Sequence, residues 1–212
     1  IFKKVKHIKS RVEKINFTIK KVILKNNIEI KYDYLVIASG AKTVSNLKDS
    51  KKLLSLKTIK DSIKIKNILL EAFKKKTKII SIICGGATGT ELAAEIAYYF
   101  NKNKKAVKIN HFISDRGYFP EYTHFNNYII KKMNLLGVNI ISEGKVIGVN
   151  NNIIKTKKNN YKSDYVFLAI GTKPNLIEAD IIFKEGYPIN NFCEIKGLKD
   201  VYAIGDVSLL PY

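Results

Sequence analysis

Tryptophan is absent from these 212 residues, methionine occurs once, proline four times and cysteine twice. Cys84 and Cys193 cannot build a disulfide framework. The three histidines, His7, His111 and His124, stand outside any ligand spacing and no CxxC pair occurs, so no metal centre is expected. A reducing compartment is the default for so cysteine-poor a chain. There is no run of 18 apolar residues and no charged-then-apolar leader, so neither a membrane-spanning helix nor secretion is expected. The first residue is Ile rather than Met, as in an internal piece of a longer protein. Arginine is nearly missing as well. Only Arg11 and Arg116 stand among 38 basic residues, which face 18 acidic ones and leave a net charge of +20. Such an excess raises the question of nucleic acid, because phosphate neutralisation drives non-specific binding. Arginine, however, is the side chain suited to bidentate base and phosphate recognition, and the lysines here are dispersed among Asn and Ile, all residues with A/U-rich codons. Biased composition and a solvated surface account for the charge, and nucleic acid is not an expected partner.

What the chain does have is a hydrophobic content of 46% in mixed α and β patterns, enough for one large or two small globular domains. Residues 79–96, IISIICGGATGTELAAEI, organise the rest. Ile79, Ile80, Ile82 and Ile83 form the β-branched run of a strand buried on both faces. Gly85, Gly86 and Gly89 follow, and then a helix with Leu92, Ala93, Ile96 and Ala97 on one side. Glycine permits a sharp turn and close approach of a ligand, and the helix N-terminus offers N–H groups to a phosphate. With a second buried strand over 106–113 this completes a βαβ unit over 78–113.

Before that unit, strands are expected around 5–17, at 21–24 and at 28–37, the last two joined by an Asn26-Asn27 turn. Residues 41–57 read as a crossing between domains. Residues 59–73 predict an amphipathic helix with Ile59, Ile63, Leu70 and Phe73 on its core face. After the unit, a helix over 125–136 carries Phe125, Ile129, Met133 and Leu136 inward and stops at Gly137. Short strands at 138–141, 145–149 and 153–156 follow, with Asn150–Asn152 as the turn between the last two. Three segments, 34–40, 165–171 and 201–206, share one design: apolar residues closing on a glycine. Any one of them reads equally as an ordinary strand and turn. Their recurrence implies several strand ends converging on extended ligands.

Candidate chemistry centres on Cys84-Gly85-Gly86-Ala87-Thr88-Gly89, in which cysteine takes the first glycine position of the dinucleotide fingerprint. Gly86 permits approach to a pyrophosphate and Gly89 close packing of helix on strand. Cys84 reads as a small core residue rather than a reactive thiol, and Cys193 has no partner in sequence. Glu91, placed on the first helical turn, either stabilises the helix dipole alone or lies beside the reacting ring of a cofactor, holding an amide or moving a proton. The second strand ends in His111-Phe112-Ile113-Ser114-Asp115-Arg116. An acidic residue there bonds the ribose of NAD, whereas an arginine suits the 2′-phosphate of NADP. Ile113 or Ser114 occupies the acidic position, Asp115 argues one way and Arg116 the other, so the choice stays open.

With these residues in place the chain resembles the two-dinucleotide-binding-domain flavoproteins, the pyridine nucleotide-disulfide oxidoreductase superfamily. Residues 32–40 resemble the family's first "ATG" signature with Ser39 in place of Thr. Residues 84–95 resemble its NAD(P)H turn, 169–175 (AIGTKPN) its second small-residue signature, and 201–206 its FAD "GD" motif. The resemblance implies an α/β, Rossmann-like, three-layer FAD/NAD(P)-binding fold, with an NAD(P)H domain at 45–172 inserted in a partial FAD domain at 1–44 and 173–212. It implies FAD and NAD(P)H as cofactors, bound through Ser39, Gly40, Gly85, Gly86, Thr88, Gly89, Gly171, Gly205 and Asp206. Asp206 would bond the FAD ribityl chain, Ser39 and Gly40 would line the flavin, and Glu91 is the candidate catalytic residue. The family's N-terminal βαβ unit and its region after the GD motif lie outside this sequence.

GATGTELAAEI is most similar to type II NADH:quinone reductases and apoptosis-inducing-factor-like reductases, which implies hydride transfer from nicotinamide to flavin and electron transfer to a quinone or similar acceptor. Peripheral membrane contact through a C-terminal region and homodimerisation would accompany such relatives, in a cytoplasmic or membrane-associated setting. The alternatives are an NADH oxidase or disulfide-linked reductase with its cysteine upstream of Ile1, and a non-catalytic nucleotide-binding remnant.

Overall fold

The run Ile79–Ile83 is the central strand of a five-stranded parallel sheet, because β-branched side chains on both faces of the pleat find apolar cover on both sides. The strand order is Leu54–Ser55, Tyr165–Leu168, Ile79–Ile83, Lys108–Phe112, Val138–Ile141, and every pairing is parallel. This computed structural model describes residues 5–43, 53–75, 78–119, 121–169 and 171–210. The chain divides into two units, residues 43–171, which contain this sheet, and residues 1–42 with 172–212.

In the 43–171 unit three helices supply one covering layer: α1 (Ile59–Lys74), α2 (Ala87–Lys102) and α3 (Thr123–Leu135). Ala93, Ile96, Ala97 and Phe100 of α2 pack on Ile80, Ile82 and Ile109, with Ile129 and Met133 of α3 in the same core. Met133 is thus a packing residue, and Gly137 takes the left-handed conformation (φ +75°) that ends α3 and its cap. The face of α1 differs from the expected one. Ile65 and Ala72 are buried, with Ile68, Leu69 and Phe73 packed beside them, while Ile59, Ile63 and Leu70 face solvent. Phe125 of α3 is likewise half exposed. The opposite face of the sheet is covered by an antiparallel meander of Gly148–Asn150, Ile153–Lys155 and Asn160–Lys162. Asn151 and Asn152 both have positive φ, as a two-residue hairpin of this twist requires. Val149, Ile154 and Tyr161 close a second core against Ile83, Phe112, Ile141, Val166 and Leu168. Helices, parallel sheet and meander make the three layers. The strand Asn160–Lys162 had no sequence signal.

The other unit is built on a four-stranded sheet in the order Glu178–Ala179, Val12–Asn16, Lys21–Leu24, Glu29–Lys31, and on a parallel pair of Leu35–Ile37 with Val201–Ala203. Ile15, Phe17, Ile37, Tyr187, Ile189, Ile195, Val201, Ala203 and Val207 form its core. Two expectations are corrected here. The first strand begins at Val12 rather than near Val5, and the segment expected as one strand over 28–37 is two strands in different sheets, Glu29–Lys31 and Leu35–Ile37. Leu35–Ile37 is also not fully buried: Ile37 is, but Val36 is 56% exposed. The Asn26-Asn27 turn is present, with Asn27 left-handed at φ +57°. Of the expected crossing at 41–57, residues 44–52 lie outside the described residues, while Ala41–Thr43 and Leu54–Ser55 are short strands.

Candidate functional site

The order of the parallel sheet reverses at Ile79–Ile83. From there the chain moves outward through Lys108–Phe112 to Val138–Ile141, then returns on the other side as Tyr165–Leu168. Such a switch point opens a crevice at the carboxyl ends of the two adjoining strands, where open α/β sheets bind ligands. Here those ends continue into Cys84-Gly85-Gly86 and into Ala169 and Gly171. The Ala169 N–H donates to the Ile83 carbonyl (3.0 Å), so both strand ends are held side by side. Ile170 lies outside the described residues.

Each glycine of the turn has a distinct reason. A Cβ on Gly89 would lie 1.9 Å from the Cys84 carbonyl oxygen and 3.3 Å from the Ala169 Cβ, so only glycine lets α2 approach the strand ends. A Cβ on Gly85 would run into Ile113 at 2.8 Å. A Cβ on Gly86 would meet only the Cys84 Sγ, at 3.6 Å, so Gly86 is exposed on the open side of the turn, where a ligand would approach. Gly86 is the N-cap of α2 and carries no side-chain cap. The contrast with α1 is direct. There Thr58 and Asp61 form a capping box, the Asp61 N–H donating to the Thr58 Oγ1 and the Thr58 N–H to the Asp61 carboxylate. The first N–H groups of α2 have no such partner, and their partial positive charge is left for an anion. Thr88 is exposed in this first turn, and the Thr90 hydroxyl donates to the Gly85 carbonyl.

Two sequence expectations change at this turn. Cys84 is half buried with φ +116°, a turn residue holding a glycine-like conformation rather than a core filler. Glu91 opens the second turn of α2, since the helix starts at Ala87 and has no acidic residue in its first turn; it is exposed. At the end of the Lys108–Phe112 strand, Ile113 is buried against the position of Gly85, while Asp115 and Arg116 are exposed in a turn closed between Ser114 and Gly117.

The sequence placed His111 outside any ligand spacing and gave it no partner. It is fully buried, with Nε2 2.9 Å from the Cys84 carbonyl oxygen and Nδ1 3.0 Å from the Tyr118 hydroxyl. Burial pulls its pKa down from 6.5 to about 4 and pushes the Tyr118 phenol above its ordinary value. A carbonyl can only accept, so Nε2 carries the proton and Nδ1 accepts from Tyr118.

In the other unit, two of the small-residue segments are bound to each other. The Ser39 hydroxyl donates to the Asn175 carbonyl (2.8 Å), the Asn175 N–H to the Gly40 carbonyl (2.8 Å), and the Asn175 side-chain amide to the Ser39 carbonyl (3.3 Å). Gly40 and Gly205 both have positive φ, +66° and +72°. The Ile204 N–H donates to the Ile37 carbonyl, which brings Gly205 and Asp206 to the end of the Leu35–Ile37 strand, and Thr172–Pro174 packs against Gly205–Val207. Asn175 was not singled out in the sequence, although it closes the AIGTKPN segment. Beside this strap lies a cavity of about 660 Å³ lined by Leu35–Ser39, Asn175–Glu178 and Arg11–Glu13 among others. The three strand ends expected to converge therefore divide. Those at Gly40 and Gly205 share one unit, and Gly171 closes the other. No helix among the described residues is long and apolar enough to cross a membrane.

A dinucleotide fits the 43–171 unit, because the uncapped α2 terminus and the bare Gly86 leave both donors and room. In the other unit Ser39, Gly40, Gly205 and Asp206 lie beyond the ends of the paired strands Leu35–Ile37 and Val201–Ala203. In that unit the 3₁₀ turn Gly205–Val207 is the sole helical element among the described residues, so no second glycine turn leading into an α-helix is present among them.

The chain is 30% identical over 200 residues to NADH-rubredoxin oxidoreductase of Clostridium acetobutylicum, covering 89% of this chain and 46% of that protein. It is 28% identical over 236 residues to apoptosis-inducing factor homolog A of Dictyostelium discoideum, covering 98% and 56%. The sulfide:quinone oxidoreductase structure from Aquifex aeolicus superposes with a TM-score of 0.83 at 16% identity, over 96% of this chain and 53% of that one, which shows the shared fold. The chain spans about half the length of the curated relatives it matches. The family model for pyridine nucleotide-disulphide oxidoreductases, whose members are FAD-dependent NAD(P)H oxidoreductases, matches residues 3–211, and the chain belongs to that family.

Proposed function

We propose that this chain is the cofactor-binding part of an FAD-dependent NAD(P)H oxidoreductase that passes electrons from a reduced nicotinamide to a quinone or similar acceptor. The observation that carries this reading is the uncapped N-terminus of α2, led by a bare Gly86, at the switch point of a parallel sheet. Bound FAD would supply the acceptor for a hydride and the store from which electrons leave. The chain's own residues do the binding and orienting. The N–H groups of the α2 first turn and Thr88 face the pyrophosphate of NAD(P)H, and Gly171 leaves its backbone open across the crevice. Ser39, Gly40, Gly205 and Asp206, strapped through Asn175, hold the flavin and ribityl side of FAD. Glu91 projects from α2 one turn past the phosphate end, placed to hold the nicotinamide amide or to move a proton there.

Ile113 cannot supply the ribose carboxylate, being apolar and packed at Gly85, so Asp115 and Arg116 decide between NADH and NADPH. The relatives' names point to different acceptors, rubredoxin in one and a quinone in another. Membrane contact and dimer formation stay part of the same proposal. The test is spectroscopic. Intact full-length protein should purify yellow and bleach anaerobically on adding NADH or NADPH, and reoxidation by a quinone, by oxygen or by a disulfide separates the three acceptor classes. Folded full-length protein with no flavin absorbance that still binds NADH would be the non-catalytic remnant and would overturn the enzyme assignment.

A further inference from the structure

We propose that His111 is a positioning residue for the nucleotide pyrophosphate, acting through the peptide that joins Cys84 to Gly85. This inference rests on the nucleotide-binding reading of the turn. The Cys84 carbonyl points inward, where the His111 Nε2–H donates to it at 2.9 Å, and it fills the space that Gly89 leaves by lacking a Cβ. The peptide is trans, so its N–H points opposite to its C=O. With the carbonyl clamped against His111 and Gly89, the Gly85 N–H points away from both, and it finds no acceptor among the described residues. It therefore joins the uncapped N–H groups of α2 as a further donor for the same anion.

The clamp is fixed at both ends. Cys84 holds φ +116°, a conformation an L residue adopts rarely and keeps only when its surroundings dictate it. His111 is held in the single neutral form that donates from Nε2, because its other nitrogen accepts from Tyr118. Tyr118 in turn is secured by its N–H to the Asn126 side-chain oxygen on α3. A chain of bonds thus runs from α3 through Tyr118 and His111 to the nucleotide turn. No ionisable side chain other than Tyr118 is bonded to His111 among the described residues.

The test uses the full-length protein and two probes, ADP-ribose, which carries a pyrophosphate, and adenosine, which does not. His111→Leu removes the donor, and His111→Asn keeps polarity but shortens the side chain so that Cys84 loses its partner. Each should weaken ADP-ribose binding, measured by calorimetry, about 10- to 100-fold, the loss expected for one hydrogen bond to a charged group. Adenosine binding should change less than about twofold, and His111→Gln, whose amide reaches the Nε2 position, should recover most of the ADP-ribose affinity. Should His111→Leu not fold, the Asn and Gln pair carries the comparison. Equal ADP-ribose affinity in wild type and folded Asn or Leu variants overturns the proposal, as does a parallel loss of adenosine, which would mark general collapse of the site. Wild-type protein that binds no ADP-ribose would instead overturn the nucleotide reading itself.

Discussion

His111 is where one residue's chemistry reaches furthest. Its folded pKa of about 4 lies below the 6.5 of the free side chain, with burial as the main cause and the bond to Cys84 opposing it. In the unfolded chain the imidazole takes up a proton as pH falls through 6.5, whereas in the folded chain it resists until about 4. The contribution to stability is therefore complete above pH 6.5 and is lost as pH drops from 6.5 toward 4, amounting to about 3 kcal/mol over that window. Chemical denaturation of wild type between pH 7 and 4 should show this slope, and His111→Gln should flatten it. A wild-type slope equal to that of the variant would show that another group carries the acid sensitivity. None of this was legible in the sequence. His111 is 27 positions from Cys84 and 7 from Tyr118, and nothing in local pattern says that an imidazole will meet a carbonyl from a neighbouring strand. Gly89 was legible, because its turn is local and the close packing of helix on strand that it permits follows from its spacing after the strand.

At the scale of elements, α1 and α2 solve the same problem in opposite ways. Helix α1 satisfies its first N–H groups with Thr58 and Asp61, and α2 leaves its own for a ligand. Replacing Gly86 by Asp should expose the difference, since an Asp N-cap accepts from the first-turn N–H groups and the site has room for a Cβ. The nucleotide-free protein should gain up to about 1 kcal/mol, read as a rise in melting temperature, while NADH affinity falls because the new carboxylate takes the donors and repels the pyrophosphate. A variant that is stabilised yet binds NADH unchanged would remove α2 from the binding site. The existence of both helices and the limits of α1 were readable from spacing, but the start of α2 and the face of α1 were not. Isoleucine is so abundant that Ile59, Ile63 and Leu70 make a plausible stripe on one side while Ile65, Ile68, Leu69 and Ala72 make the real one on another. The same excess ran Glu29–Lys31 and Leu35–Ile37 together, because the bend between them is a matter of sheet membership rather than of hydrophobicity.

For the whole molecule, the chain divides into two units, and the proposed function gives each unit its own nucleotide. The turn at 84–90 with Ala169 and Gly171 lies in the 43–171 unit, and the strap of Ser39, Gly40 and Asn175 with Gly205 and Asp206 lies in the other. The parallel-sheet order that brings Ala169 beside the 84–90 turn is long-range and came only with the fold. A ligand that binds only the folded state stabilises what it touches, by about 2.7 kcal/mol at a hundredfold excess over its dissociation constant. Hydrogen exchange on the full-length protein should therefore show two separable footprints. ADP-ribose should slow exchange at 84–90 and 169–171 and leave 39–40, 175 and 205–206 unchanged, whereas adding FAD to flavin-depleted protein should do the reverse. One common footprint for both ligands would mean that a single site serves both, and the assignment of the two signature sets to two cofactors would fall.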